Sequence, residues 1–230
     1  MKNVMVVAAA SVTVVGLSFA LAGCGSKSGS EASSASSSSV SSSASVTSSS
    51  AAPAAAGMTI NDYITKNNIA ETPIKPDEPG TPNFDFPFPP GWSPAGDKTP
   101  EWAYGAIVYD KPADPSDPPT MYAIAVKLTG DVDPATVLEL APSQLQGLPE
   151  FSPIGEPNKS SLSGFDAVQY AGTYMNDGKK RVVAQKTVVI PGKDALFALQ
   201  LNADALDGQQ DVILDAAKVI DEQTKITAPA

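Results

Sequence analysis

FDAVQYAGTYMNDGKKRVVAQKTVVI, residues 165–190, decides the fold. From Phe165 to Tyr174 the side chains alternate. Phe165, Ala167, Gln169, Ala171 and Thr173 share one side, and Asp166, Val168, Tyr170, Gly172 and Tyr174 share the other. A period of two is the signature of a strand. Asp177-Gly178 then gives the dipeptide that a tight hairpin prefers, because both turn positions take positive φ. Arg181 to Ile190 is a valine-rich second strand, Pro191-Gly192-Lys193 makes the next turn, and Ala195 to Asn202 reads as a third strand. These segments form an antiparallel meander.

Working outward, Val212, Ile213, Ala216, Ala217 and Ile220 recur at helical spacing within Leu206–Ile220, and Lys225-Ile226-Thr227 adds a small last strand. Upstream, Phe151 to Glu156 reads as a short strand. Asp133-Pro134 opens a helix with cap and first-turn residues in the preferred order; Val137, Leu138, Leu140 and Leu145 supply its buried side, and Pro142 ends or kinks it. Trp102–Tyr109 and Met121–Leu128 read as antiparallel strands joined by the acidic, turn-rich loop Lys111–Pro119. Asn83 to Pro90 alternates aromatic and polar residues, which suits an edge strand, since Pro87 and Pro89 bar a central place. Thr59 and Asp62 sit where a helix N-cap and its third residue belong, and Ile60, Tyr63, Ile64 and Ile69 form the apolar face of a helix running to about Asn68. The expected fold class is α+β: an antiparallel sheet meander sandwiched by helices in one domain spanning 57–230.

The N-terminal quarter has a different character. Val4 to Ala22 is an apolar run behind Lys2, and it ends in Leu21-Ala-Gly-Cys24, which contains the chain's one cysteine. A basic start, an apolar middle and small residues at a cut site are the pattern of a secretory signal peptide, here 1–23. The ending resembles a bacterial lipobox, which implies acylation of Cys24, an extracytoplasmic address and a lipid anchor in the cell membrane. The alternative is a spanning anchor, because the run is about the ~20 residues a membrane helix needs. Ser11, Thr13, Gly16 and Ser18 interrupt the run, and no basic stop-transfer cluster follows. Residues 25–56 contain 16 Ser and 8 Ala among 32, with Lys27 and Glu31 the only charges. Such a segment cannot offset its ordering entropy and reads as a disordered tether spanning roughly 30 Å, with a composition that suits O-glycosylation.

Composition narrows the functions. The chain has 15 basic and 25 acidic residues and no histidine; without Lys2, 14 against 25 leaves a net charge of −11. This balance disfavours nucleic acid and anionic headgroups. Without histidine there is no Ser-His-Asp triad, imidazole base or histidine-ligated zinc. With Cys24 taken by lipid, no thiol is left for a disulfide or a metal. No Gly-x-Ser-x-Gly elbow, phosphate loop or dinucleotide fingerprint occurs, so no catalytic residue and no cofactor are expected.

Several segments resemble the LpqN/LpqT family of mycobacterial cell-envelope lipoproteins: Phe86-Pro-Phe-Pro-Pro-Gly-Trp92, Lys127 to Leu140, Leu162-Ser-Gly-Phe165, and best of all Tyr170 through Gly178-Lys-Lys-Arg181 to Pro191. The resemblance covers about 58–228 and the lipobox-and-tether layout. It implies a Mog1/PsbP-like α/β/α sandwich with no catalytic signature. It also implies a role near mycolate or trehalose-glycolipid transport or modification, or in host contact. The long serine-rich tether and the lack of histidine are departures from the family pattern.

Two groups stand out as candidate sites. Phe84, Phe86, Phe88, Trp92, Trp102, Tyr104 and Tyr109 fall within 26 residues. Of these, Trp92, Trp102, Phe88 and Tyr104 are the candidates to line a groove for an acyl chain or sugar ring. Alternate members filling the core is the ordinary reading, with Trp92, just after a turn glycine, expected to stand partly exposed. Lys179, Lys180 and Arg181 are the densest basic run, a candidate contact for an anionic headgroup or acidic partner; a solvated hairpin tip is the ordinary reading. Asp110, Asp114 and Asp117 lack a calcium-loop pattern, and Asp133 is better explained as a helix cap, so no metal site is expected. The leading function is a non-enzymatic binding or scaffolding module for lipid, glycolipid or envelope proteins. A hydrolase using paired carboxylates and a surface adhesin contacting host proteins are the alternatives.

Overall fold

A computed structural model describes residues 57–229 of the chain. The signal peptide, Cys24 and the tether lie outside the described residues. The first helix, α1 (Ile60–Lys66), starts where local chemistry dictates. Thr59 Oγ1 accepts from the Asp62 amide at 3.1 Å, and Asp62 Oδ2 accepts from the Thr59 amide at 2.9 Å. This reciprocal capping box satisfies two amides that the first turn would otherwise orphan.

Ten further segments form the first part of the chain's strand and helix inventory. They are β1 (Ala70–Pro73), β2 (Asn83–Asp85), β3 (Trp92–Pro94), β4 (Gly105–Tyr109), β5 (Thr120–Thr129), α2 (Pro134–Leu140), α3 (Ser143–Gln146), β6 (Ser152–Pro153), β7 (Asn158–Leu162) and β8 (Phe165–Asn176). The long hairpin partner β9 (Lys179–Pro191), then β10 (Leu196–Leu206), α4 (Gln210–Gln223) and β11 (Lys225–Thr227), complete it. Asp177 (φ 49°) and Gly178 (φ 73°) make the tight turn between β8 and β9, as their residue types require.

The main sheet has nine strands in the order β3-β4-β5-β10-β9-β8-β6, with β1 also pairing β5 and β7 also pairing β8. All its pairings are antiparallel. β10 is the organising strand. Its register sets Leu199 beside Ala125 and Val188, and Asn202 beside Tyr122 and Gln185. Because side chains alternate, β10 buries Phe197, Leu199, Ala203 and Ala205 toward one layer, and Leu196 and Ala198 toward the other.

Each face therefore has its own cover. One packs on α4 through Ile213, Ala216 and Ile220, and on the separate two-stranded sheet of β2 and β11 through Phe84 and Ile226. The other packs on α1 and α2 through Ile60, Tyr63 and Val137, and on α3 through Leu145. The result is an α+β, α/β/α sandwich.

Several expectations need correction. The Trp102–Tyr109 strand begins only at Gly105, because residues 100–103 close a turn, with the Ala103 amide bonded to Pro100 O at 2.9 Å. The Asn83–Pro90 strand stops at Asp85 and pairs with β11, away from the main sheet, since Pro87 brings no amide to a ladder. The short strand within Phe151–Glu156 is only Ser152–Pro153, and the same edge continues in β7.

Candidate functional site

The aromatic segment divides between core and surface. Phe84 stacks on Phe86 at 5.8 Å between centroids, and Tyr104 meets both edge-on at 5.2 and 6.4 Å. Trp92 is buried, at 6% exposure, against Tyr109. Its expected partial exposure is wrong, because β3 pairs with β4 and sets Trp92 opposite Tyr109 beneath α4. Among the described residues the exposed aromatics are Phe88, at 61%, and Trp102, at 45%. Trp102 sits edge-on to Tyr122 at 5.2 Å.

Beside this cluster lies a cavity of about 400 Å³. Its floor is β4, β5 and β10, from Gly105–Ile107, Met121–Ala123 and Leu201–Asn202; Ile220 of α4 closes one wall, and Phe86–Phe88 with Pro94, Gly96 and Thr99 form the other. Phe88 and Tyr104 are thus brought to one site, while Trp92 and Trp102 are not part of its lining. The residues that sequence reasoning missed are Ile107, Met121, Leu201 and Ile220, whose patterns are those of ordinary core positions.

The lining is overwhelmingly apolar and contains no carboxylate, lysine or arginine. Of the two tyrosines at the lining, Tyr104 packs its ring on Phe84 and Phe86, whereas alternation along β5 sends the Tyr122 side chain to the opposite face of the sheet, in the row of Asn202. Burial, reinforced by Asp77, pushes Tyr104 above the ordinary tyrosine range. Burial and then Asp204 do the same to Tyr122. With a lining free of charged side chains and the Tyr104 phenol shifted upward, the cavity is equipped to hold an apolar group.

The basic run has a different setting. Arg181 is buried, at 9% exposure. It donates to both carboxylate oxygens of Asp117 at 2.9 and 2.8 Å, and through Nε to Asp204 at 2.7 Å. Tyr174 donates to the other Asp204 oxygen at 2.7 Å. Burial lowers the Arg181 pKa, but hydrogen bonds to Asp117 and then Asp204 outweigh it and the net shift is upward. Lys179 reaches Asp117 at 3.1 Å and Lys180 reaches Asp207 at 3.3 Å, and both lysines remain largely exposed. The structure thus ties Arg181 into the fold, pinning the acidic loop to β9 and β10, and leaves Lys179 and Lys180 at the hairpin tip.

A larger, more polar cleft of about 1220 Å³ runs between α2 and α3 on one side and β7 and β8 on the other. Asp133, Glu139 and Asp166 line it, with Lys159. Asp133 is already engaged, accepting from the Ala135 and Thr136 amides as the cap of α2. No group of three or more metal-type ligands occurs among the described residues.

The family profile described as "Probable lipoprotein LpqN" matches residues 56–227, which is most of the chain and all the elements that build these sites. The chain belongs to the LpqN lipoprotein family. It is 54% identical over 225 residues to Lipoprotein LpqN of Mycobacterium tuberculosis (strain ATCC 25618 / H37Rv), covering 95% of this chain and 97% of the relative. It is also similar to a crystal structure titled as LpqN involved in cell envelope biogenesis of Mycobacterium tuberculosis. That match has a TM-score of 0.69 and 53% identity, over 74% of this chain and 97% of the crystallised one. Family membership associates this LpqN-family protein with the cell envelope. Among the described residues, no helix is long and apolar enough to cross a membrane.

Proposed function

We propose that this LpqN-family protein is held in the envelope by lipid on Cys24. On this reading its folded domain is a non-enzymatic binding module for one acyl chain of a lipid or glycolipid. The cavity between β4, β5, β10 and the 86–99 segment carries the reading. Its volume of about 400 Å³ lies at the lower end of small-molecule sites, which run from ~300 to 1,000 Å³ and are mostly apolar. The size suits a single chain or a short amphiphile. The relative described as involved in cell envelope biogenesis supports an envelope amphiphile as the cargo, with mycolate or trehalose-glycolipid traffic as its setting.

The test is native mass spectrometry of the protein purified from an envelope-bearing host, with solvent extraction of bound material, followed by titration with lauric acid. A defined lipid adduct, lost when Leu201→Trp fills the cavity floor, is the expected result. A clean apo mass that lauric acid does not change would remove the cavity from the function. Saturable turnover of an envelope substrate, abolished by Asp166→Asn in the polar cleft, would favour the carboxylate hydrolase instead. A Cys24→Ala chain that still partitions with detergent would refute the lipid anchor.

A further inference from the structure

We infer that the face of the main sheet opposite the apolar cavity binds an uncharged glycan, with Trp102 and Tyr122 as a stacking corner and the side-chain amides of Gln144, Gln185, Gln200 and Asn202 as a hydrogen-bonding row. The strand register brings these groups together. Alternation along β10 sends Leu199, Leu201 and Ala203 toward α4, and Ala198, Gln200, Asn202 and Asp204 toward the layer of α1, α2 and α3. Asn202 lies in register with Tyr122 of β5 and Gln185 of β9, so all three side chains stand on this second face. Trp102 meets Tyr122 edge-on at 5.2 Å between centroids. α2 and α3 pack over β8 and β9, which leaves the β4–β5 end of the face with Val108, Tyr122 and Ile124 only half-buried. The sheet itself separates this face from the cavity, so the site does not depend on the acyl-binding reading.

The amides form one connected row. Gln185 Nε2 donates to Asn202 Oδ1 at 3.0 Å and to Gln144 Oε1 of α3 at 3.3 Å; Gln200 Nε2 donates to the same Gln144 oxygen, and Asn202 Nδ2 donates to Gln200 Oε1 at 3.3 Å. Among the described residues these bonds leave the Gln144 amide nitrogen unspent and half of the donors on Gln200 and Asn202 free. Crossing β5, β10 and β9 at ~4.8 Å per strand, with Gln144 beyond, the row is roughly 10–15 Å long, which suits a run of two or three sugar rings. A sugar ring has an apolar C–H face that stacks on an aromatic and a rim of hydroxyls that donate and accept, as side-chain amides do. The charges nearby select no ion. Arg181 is held between Asp117 and Asp204. Lys75 Nζ donates to Glu101 O and, at 3.3 Å, to Ala103 O, bracing the backbone on either side of Trp102. Asp97, Lys98 and Glu101 add both signs within five residues of that tryptophan. An acyl chain laid on the row would strip water from amides without replacing its hydrogen bonds.

The experiment uses the nitrogen-15-labelled chain from residue 24 with Cys24→Ala, so that the covalent lipid cannot contribute. It is titrated with maltohexaose, cellohexaose and a neutral galactan, and the N–H signals are followed by magnetic resonance. The expected result is that at least one glycan shifts the Trp102 indole and the side-chain amides of Gln144, Gln200 and Asn202 together, leaving the backbone signals of α4 in place. Trp102→Ala should weaken that binding about tenfold or more, and Gln144→Ala several-fold, with the backbone signals of β9 and α4 unmoved in both variants. Excess lauric acid should leave the glycan affinity unaltered. Exclusion by lauric acid would overturn the assignment to the opposite face and make the sugar the headgroup of the cavity's own amphiphile. No response to any of the three glycans, or shifts confined to Ile107 and Met121 on the cavity floor, would overturn the glycan site even if lauric acid is taken up. Shifts at Trp102 produced by a polyproline peptide and by no glycan would replace the sugar with a proline-rich ligand.

Discussion

Gly172 sits in the middle of β8 with the ring of Phe151 lying across it. A Cβ at this position would collide with that ring and stand 2.7 Å from Ser152 O. The residue is glycine for space, since its backbone lies outside the left-handed region. Gly172→Ala should therefore cost about 1–3 kcal/mol by overpacking, read as a lower midpoint in urea unfolding, and Phe151→Ala in the same chain should recover only the part due to the ring, since Ser152 O stays in place. Arg181 makes a second residue-scale test. Its removal leaves Asp117 and Asp204, both largely buried on the side-chain scale, facing each other without a cation. Arg181→Ala should destabilise by about 3–5 kcal/mol, whereas Lys179→Ala, an exposed pair member, should cost under about 1 kcal/mol. In the sequence Arg181 hides within Lys179-Lys180-Arg181. The available sign was Asp204, the one charged residue of the largely apolar strand β10, which needs a cation from elsewhere in the fold.

At the scale of elements, what could be read early is what is locally determined. The Asp133 carboxylate accepts from Ala135 at 3.2 Å and from Thr136 at 3.1 Å, and Tyr63 Oη accepts from the Asp133 amide at 2.8 Å, tying α1 to α2. Asp133→Ala should lower stability by about 1 kcal/mol, with the loss of hydrogen-exchange protection concentrated in α2, because the macromolecular packing above it is untouched. Caps, the Asp177-Gly178 turn and the β8–β9 alternation all lie within a few residues of the structure they specify. β1 does not. Ala70–Pro73 are all exposed, show no alternation, and pair with Val126–Thr129 more than fifty residues away. β7 is a polar edge, Asn158–Leu162, with only Leu162 buried. The cavity was illegible for a related reason. Leu201, Met121 and Ile220 follow ordinary core patterns, and the space between them exists because the proline-rich 86–99 segment stands off from the sheet, which is a tertiary result.

For the whole molecule, the distribution of titratable groups sets a pH profile. Hydrogen bonds from the Thr59 backbone and side chain hold Asp62 below the ordinary carboxylate range, Ser116 does so for Asp114, and Thr136 with the Ala135 amide does so for Asp133. Asp117 is raised by partial burial, but the bonds from Arg181 and Lys179 outweigh this and the net shift is down. A carboxylate whose folded pKa lies below its unfolded value, ~3.9 for Asp, stabilises the fold at higher pH, and the contribution is lost as pH falls through the folded value. The phenols act at the other end. Burial, then Asp204, holds Tyr174 far above its ordinary value, and Tyr122 and Tyr104 shift the same way, so the unfolded chain loses these protons first as pH rises past ~10. Between these limits no histidine side chain exists to titrate. Thermal midpoints should accordingly form a plateau from about pH 5 to 9, falling steeply below about 4 and again above about 10. Asp117→Asn should lower the plateau and flatten the acid limb, because it removes a carboxylate whose ionised form the fold prefers. A melting series in buffers of matched ionic strength checks both features, and a step near pH 6.5 in the unsubstituted protein would contradict this assignment of the titrating groups.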